Sequence, residues 1–166
     1  RASGWRVGYA SAMTMLELGD GDRASYVDIA AVIEESSPRA GEDLRQLWRR
    51  IVLSVLISNT DDHLRNHGFL RATSAGWTLS PAFDLNPDPS PGPKELSTAI
   101  DVDDPTASID LALHVAPHFR LDQEQALGIL DEVRRAVGGW RRVAGEAGID
   151  RPGIEAMAPA FAPGEP

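Results

Sequence analysis

Three polar residues near the middle of the chain, Asp61, Asn66 and Asp84, have types suited to phosphoryl transfer from ATP. That reaction needs a carboxylate to orient the attacking hydroxyl and accept its proton, and it needs oxygen ligands for Mg²⁺. A common arrangement has a loop Asp, an Asn five residues later and a second Asp after a short hairpin. Asp61 and Asn66 are five residues apart, and a predicted hairpin precedes Asp84. Because such a spacing arises by chance in many chains, the surrounding residues must support this interpretation.

Two other interpretations of the same stretch are open. Asp62 directly follows Asp61, so either carboxylate could be the base, and either could instead cap a helix or hold a turn. His63 and His67 are four residues apart, a spacing that on a helix can bind a metal ion. Gly68 and the polar residues around the histidines favour a loop over a helix, which argues against a zinc site.

The elements on either side of these residues have clear patterns. Apolar residues at steps of three and four predict a helix over 41–57 that ends in the core and delivers the polar loop that follows. Residues 67–71 and 76–79 are predicted to pair as a short β-hairpin before Asp84. Trp77 and Phe83 are expected to be core residues.

The remaining predicted elements are also helices, so the fold class is expected to be mainly α. They cover residues 9–18, 26–35, 109–115 and 123 to about 137 or 143, with a short final helix from Pro152. Gly138 and Gly139 predict a kink or break. The stripe expected to be buried on the long last helix consists of Leu127, Leu130, Val133, Val137 and Trp140.

Charge and proline are concentrated after Asp84. Residues 86–94 hold four prolines and predict a stiff extended loop, in which Lys94, the single lysine of the chain, is expected to be exposed. Residues 84–110 contain seven acidic residues and one base, a net charge of −6 out of −9 for the chain. This segment is interpreted as a solvated acidic loop, or alternatively as the surroundings of a divalent cation or a docking surface for a basic partner.

Composition excludes several classes of protein. The chain has 166 residues, enough for one domain, and its net charge of −9 argues against direct nucleic-acid binding. It has no cysteine, which excludes disulfides, thiol nucleophiles and cysteine-ligated zinc. No apolar run is long enough to span a membrane and no signal peptide is visible, so a cytoplasmic protein without membrane contact is expected.

The longer sequence around the three residues resembles the HipA-like toxin kinase family. Residues 59–70, NTDDHLRNHGFL, resemble that family's T-D-x-H-x-x-N loop, and residues 77–85, WTLSPAFDL, resemble its L-x-P-x-[YF]-D-[LIV] segment. The resemblance extends outward to residues 8–13, 25–30 and 124–140, and so covers most of the chain.

The resemblance implies a role for each matching residue. Asp61 corresponds to the catalytic aspartate, and His63 to a loop histidine that braces rather than reacts. Asn66 and Asp84 correspond to ligands of Mg²⁺ and thereby of ATP. Asp62 stands where other members often have glycine, which keeps it open as a competing base.

The implied fold is the helical C-terminal lobe of a kinase-like protein, with a short β-hairpin after the catalytic loop, over residues 1–161 and with a frayed tail over 162–166. The implied activity is that of a serine/threonine kinase that transfers the ATP γ-phosphate to a protein hydroxyl. The family's members are toxins of type II toxin–antitoxin pairs, and the partner is a small DNA-binding antitoxin.

The parts of a kinase that bind the nucleotide are not apparent in this sequence. It shows no glycine-rich phosphate loop, and Lys94 follows the proposed metal aspartate, where a phosphate-binding lysine does not belong. The family carries both in an N-terminal lobe, so the 166 residues alone are expected to be inactive. The alternative from a different class is a non-catalytic, truncated module that binds an antitoxin.

Overall fold

A computed structural model describes residues 6–102 and 104–161, and helices make up about half of the chain. The predicted frayed tail over 162–166 lies outside the described residues. The strands are β1 (Gly8–Ser11), β2 (Gly68–Thr73) and β3 (Gly76–Leu79). The α-helices are α1 (Ala12–Met15), α2 (Tyr26–Ser36), α3 (Ala40–Leu56), α4 (Ile109–Val115), α5 (Gln123–Gly138), α6 (Trp140–Glu146) and α7 (Arg151–Met157). Within the described residues, no helix is both long and apolar enough to cross a membrane.

The strands form one antiparallel sheet in the order β1-β2-β3. The predicted hairpin is confirmed, with Phe69 opposite Leu79. The helix predicted over 9–18 is confirmed only over Ala12–Met15 and is wrong at both ends. Residues 8–11 pair with β2 instead, with Ser11 opposite Gly68, and Ser11 then caps the short helix α1. Backbone pairing with β2 outweighs the local helical pattern of these residues. Sequence periodicity cannot detect such a pairing, because the partner strand is distant in sequence.

Helix α3 is the centre of the fold and contacts α2, α4, α5 and β3. Its predicted apolar stripe is buried except for half-buried Leu56 at the end of the helix. Trp48 at its middle donates a hydrogen bond from Nε1 to the Ala112 carbonyl of α4 at 3.0 Å. Burying this stripe makes α3 a rigid support for whatever follows its C-terminus. The prediction of a helix over 41–57 is confirmed within one residue at each end.

Helix α2 begins with a capping box formed by Ser25 and Asp28, a Ser-x-x-Asp pattern that the sequence displays. The Ser25 side chain accepts from the Asp28 backbone N–H, and the Asp28 carboxylate accepts from the Ser25 N–H at 2.7 Å. The start of the helix is also tied to a distant segment, because the Tyr26 N–H donates to the Ala99 carbonyl at 2.9 Å. This arrangement places the Tyr26 side chain in the core.

The C-terminal helices correct one prediction about burial. The buried residues of α5 are Ala126, Ile129, Leu130 and Val133. Of the predicted stripe, Leu127 is 41% exposed, and Val137 and Trp140 are only half-buried. The buried face of α5 is therefore rotated from the predicted one, toward Ala126 and Ile129. The predicted break is confirmed at Gly139, and Trp140 of α6 stacks on Phe161 with ring centroids 4.1 Å apart.

The proline-rich stretch 86–94 has neither helix nor strand, as predicted, but Lys94 is not exposed as expected. Its ammonium donates to the Asp88 carboxylate at 2.7 Å, to the Asp88 carbonyl at 3.1 Å and to the Ser90 carbonyl at 2.6 Å. These three bonds lower the exposure of the Lys94 side chain to 16%. Lys94 thus links the end of the proline-rich stretch to its middle, at Asp88 and Ser90.

The turn between β2 and β3 packs tightly against the end of α2. A Cβ added at Gly76 would lie 2.3 Å from the Ser36 carbonyl oxygen, and Gly76 has a φ of +146°. We expect Gly76→Ala to lower the free energy of unfolding by about 2–4 kcal/mol, because backbone clash and φ strain add. Urea denaturation would measure the change.

Gly92 provides the matched control for this substitution. It has a φ of +105° but no atom within 4 Å of an added Cβ, so Gly92→Ala has the strain without the clash. We expect a cost of about 1 kcal/mol there. Equal losses at the two positions would contradict the packing of the hairpin turn against α2.

Candidate active site

The loop that carries Asp61 begins with a sharp reversal at the end of α3. Ser58 has a left-handed φ of +51°, which ends the helix, and the Asn59 N–H donates back to the Ser54 carbonyl at 2.8 Å. The Thr60 N–H donates to the Ser58 carbonyl at 2.9 Å. Hydrogen bonds to the end of buried α3 therefore fix the backbone of residues 58–60, which lead to Asp61.

The adjacent aspartates of this loop have opposite environments. Asp61 is exposed, whereas Asp62 is only 2% exposed. The Asp62 carboxylate accepts hydrogen bonds from the Tyr26 hydroxyl and from Ser54 Oγ at 2.9 Å, and its Oδ1 lies 3.2 Å from Nε2 of His67. The Asp62 side chain is therefore part of a buried network below the loop. The Asp61 carboxylate, by contrast, faces solvent.

The charge of Asp62 is stabilised by its neighbours. Burial raises its pKa, but the contacts with His67, Tyr26 and Ser54 outweigh burial, and the net pKa is below the ordinary value for an aspartate. Burial together with the Asp62 carboxylate raises the pKa of Tyr26 well above its usual value. The edges of the Tyr26 and His67 rings also meet, with centroids 5.2 Å apart. The network is thus a carboxylate that accepts from the hydroxyls of Tyr26 and Ser54 and lies beside the imidazole of His67.

Asn66 is held against the backbone of Asp61. Its Nδ2 donates to the Asp61 carbonyl at 3.1 Å, and its side chain is almost fully buried. The His63 N–H also donates to the Asp61 carbonyl at 2.9 Å, and the Asn66 N–H donates to the His63 carbonyl at 2.8 Å. The main chain of His63 therefore braces the loop, while the role predicted for its imidazole stays a prediction.

Asp84 lies in the segment that leaves β3. It is exposed and has a left-handed φ of +57°, a conformation that aspartate tolerates better than most residues, and its Oδ1 accepts from Asn86 Nδ2 at 2.7 Å. The preceding residue, Phe83, is 42% exposed, so the prediction that it belongs to the core is wrong.

Backbone contacts hold the segment that follows Asp84 beside the loop of Asp61. The Asn86 N–H donates to Asn59 Oδ1 at 3.4 Å, and the Asp88 N–H donates to the Ser58 carbonyl at 3.2 Å. Thr60 Oγ1 and Asp88 Oδ2 are 3.3 Å apart. The structure therefore brings together two segments that are more than twenty residues apart in sequence.

Sequence reasoning missed the residues that support this site from below. They are Tyr26 of α2, Asp43, Arg50 and Ser54 of α3, and His67 before β2. One signal for them exists in the sequence, because Arg50 and Ser54 are four residues apart on the otherwise apolar face of α3 and so interrupt its buried stripe.

The donor set fits a magnesium ion in its chemistry. Mg²⁺ prefers carboxylate and amide oxygens, and the loop offers the Asn66 amide while the adjoining segment offers the Asp84 carboxylate. Nδ2 of Asn66 donates to the Asp61 carbonyl, so Oδ1 of Asn66 is the side-chain atom that can bind a metal ion. No cluster of three or more histidine, aspartate or glutamate side chains with metal-binding geometry occurs among the described residues.

Comparisons with known proteins agree with the resemblance to the HipA-like family. The family model described as the HipA-like C-terminal domain matches residues 1–140. No curated protein matches the chain. Among solved structures, the chain is similar to HipA of Shewanella oneidensis MR-1, in a complex of HipA, HipB and operator DNA from a toxin–antitoxin system.

That structural match has a TM-score of 0.64 at 17% sequence identity, and it covers 92% of this chain and 36% of the HipA chain. At this identity the match shows a common fold, and the chain spans about a third of the length of that HipA. The family model, by contrast, matches well over half of the chain. The 166 residues therefore belong to the HipA-like C-terminal domain family.

Proposed function

We propose that this chain is the catalytic and metal-binding lobe of a HipA-like serine/threonine protein kinase, the toxin of a type II toxin–antitoxin pair. The reaction is transfer of the ATP γ-phosphate to a protein hydroxyl. The proposal concerns the full-length protein, because the chain matches only 36% of the similar HipA.

The contrast between Asp61 and Asp62 is the observation that carries the proposal. A general base must be exposed to its substrate, and only Asp61 of the pair is exposed. Asp62 is buried among three side chains and cannot reach a substrate without breaking that network. This supports the choice of Asp61, which the spacing to Asn66 also favours.

In the proposed mechanism, Asp61 accepts a hydrogen bond from the substrate hydroxyl, orients it for in-line attack and takes its proton. Asn66 and Asp84 would hold Mg²⁺, which when bound would supply positive charge to balance the phosphates of ATP. The buried network under Asp62 keeps the loop rigid, so that Asp61 and Asn66 do not have to reorganise during the reaction.

A protein antitoxin is the proposed partner. The similar HipA is in a complex with HipB and operator DNA, and this supports an antitoxin partner for the present family member. The net charge of −9 supports the view that contact with DNA is made by the partner, because a phosphate-binding surface needs excess positive charge.

Mg²⁺ and nucleotide binding by the full-length protein tests the assignment of the metal ligand. In a titration with Mg²⁺ and a non-hydrolysable ATP analogue, we expect Asp84→Asn to weaken the Mg²⁺-dependent part of binding by about tenfold or more, since a ligand carboxylate loses its charge. Asp110→Asn is the matched control, since Asp110 is an exposed acid in the first turn of α4. Equal binding by the Asp84 variant and the wild type would show that the ligand assignment is wrong.

A further inference from the structure

Arg50 is a charged side chain of α3 that lies inside the protein. It is only 8% exposed. Burial lowers the pKa of its guanidinium, while interactions with Asp62, Tyr26 and Asp43 raise it. Burying a charge is costly unless specific partners compensate. The partners of Arg50 therefore indicate what the residue does.

The first partner is the backbone that leads to Asp84. Arg50 Nη2 donates a hydrogen bond to the Ser80 carbonyl oxygen, directly after β3. On the preceding residue, the Leu79 N–H donates to the Asp43 carboxylate at 2.9 Å. Two side chains of α3 thus hold consecutive residues at the end of β3. Asp84 follows four residues later, so the position of its carboxylate depends on this anchor.

The buried carboxylate under the catalytic loop acts on Arg50 through its charge alone, since Asp62 raises the pKa of the guanidinium. Ser54, one helical turn after Arg50, donates to the same carboxylate at 2.9 Å. Asp62 is adjacent to Asp61, so a change at Arg50 acts on the residue next to the proposed base.

We propose that Arg50 is a positioning residue that couples the two halves of the site, by anchoring the backbone before Asp84 and balancing the carboxylate beneath Asp61. This inference rests on the proposed function. Arginine suits this task because its planar fork offers several N–H donors in fixed directions, which lysine does not. Arg50 itself does not touch substrate in this scheme.

The structure offers a route for testing the guanidinium itself. Arg50 borders a cavity of about 730 Å³ between α3, α5 and residues 79–82, and this cavity does not include Asp61, Asn66 or Asp84. A small guanidinium ion can enter from this side without passing through the candidate site. The neighbouring Arg49 lies on the rim, paired with Glu132 at 2.7 Å.

The test compares Arg50→Ala with Arg49→Ala in the full-length protein. For Arg50→Ala we expect the Mg²⁺ concentration needed for half-maximal autophosphorylation to rise by about 10- to 100-fold, and kcat to fall. Millimolar ethylguanidinium is expected to restore the Mg²⁺ dependence and kcat. Ethylammonium, which has the charge but not the planar set of N–H donors, is not. Arg49→Ala is expected to match the wild type in both quantities.

Each result distinguishes the inference from the proposed function. A loss that ethylguanidinium does not restore better than ethylammonium indicates a packing role and overturns the inference.

If Arg50→Ala fails to fold, Arg50→Lys replaces it, and wild-type Mg²⁺ dependence and kcat in that variant overturn the inference as well. If Asp84→Asn leaves the Mg²⁺ dependence unchanged, the proposed function itself is wrong. If Asp84→Asn weakens Mg²⁺ binding and the Arg50 variants do not, only the role of Arg50 is wrong.

Discussion

Replacement of Asp61 by asparagine is expected to lower autophosphorylation by the full-length protein by about 10²–10⁴-fold, the usual contribution of a general base. Asparagine keeps the shape of the side chain but cannot accept the proton of the attacking hydroxyl. The loop is expected to stay intact, because Asn66 and His63 hold Asp61 through its backbone carbonyl, which the substitution retains. Binding of Mg²⁺ and nucleotide should therefore change little.

Stability and activity must be measured on the same preparations for this prediction. The Asp61 carboxylate is exposed, so Asp61→Asn is expected to change the free energy of unfolding by less than about 0.5 kcal/mol. Phosphate transfer from labelled ATP measures the activity and urea denaturation measures the stability. Full activity of Asp61→Asn, together with loss of activity in a folded Asp62→Asn protein, would assign the base to Asp62 instead.

Replacement of Asp62 by alanine is expected to have the opposite pattern, with a loss of about 3–5 kcal/mol in the free energy of unfolding. The substitution leaves the Tyr26 hydroxyl and Ser54 Oγ without their acceptor and removes the charge beside His67. Buried polar groups without partners account for most of that cost. Asp61→Ala is the matched control, because it removes the same atoms one position earlier from a site where they are exposed.

The Asp62 contribution is also expected to depend on pH. The pKa of Asp62 in the folded protein is lowered, against about 3.9 in an unfolded chain. The ionised form is thus favoured by folding, and its contribution to stability is complete above the unfolded pKa. It is lost as the pH falls through the lower, folded pKa.

The corresponding measurement is the difference in unfolding free energy between wild type and Asp62→Asn from pH 7 downward. We expect a constant difference between pH 7 and about 5, and a decrease below about pH 4. A difference that increases as the pH falls would show that Asp62 is held in its protonated form. The buried network would then have a different electrostatic character from the one described.

Local patterns predict the helices well where a single face is apolar or a cap is explicit. The capping box at Ser25 and Asp28 and the stripe of α3 depend on neighbours within a turn or two, so a sequence displays them directly. The helix predicted over residues 9–11 is wrong because their partner, β2, lies almost sixty residues away. Phe83 is exposed next to a left-handed turn at Asp84, and no periodic pattern encodes either feature.

The sequence by itself determined the candidate chemistry of this protein. The spacing of Asp61 and Asn66 and the motif that ends at Asp84 are properties of the covalent chain, and they are sufficient to indicate the family to which it belongs. The tertiary structure alone decided which of two adjacent aspartates is buried. It did so because Tyr26, Ser54 and His67 come from three different segments and meet at Asp62 only when the chain is folded. Burial and charge balance are properties of such long-range contacts, which is why the environment of a carboxylate cannot be derived from its neighbours in sequence.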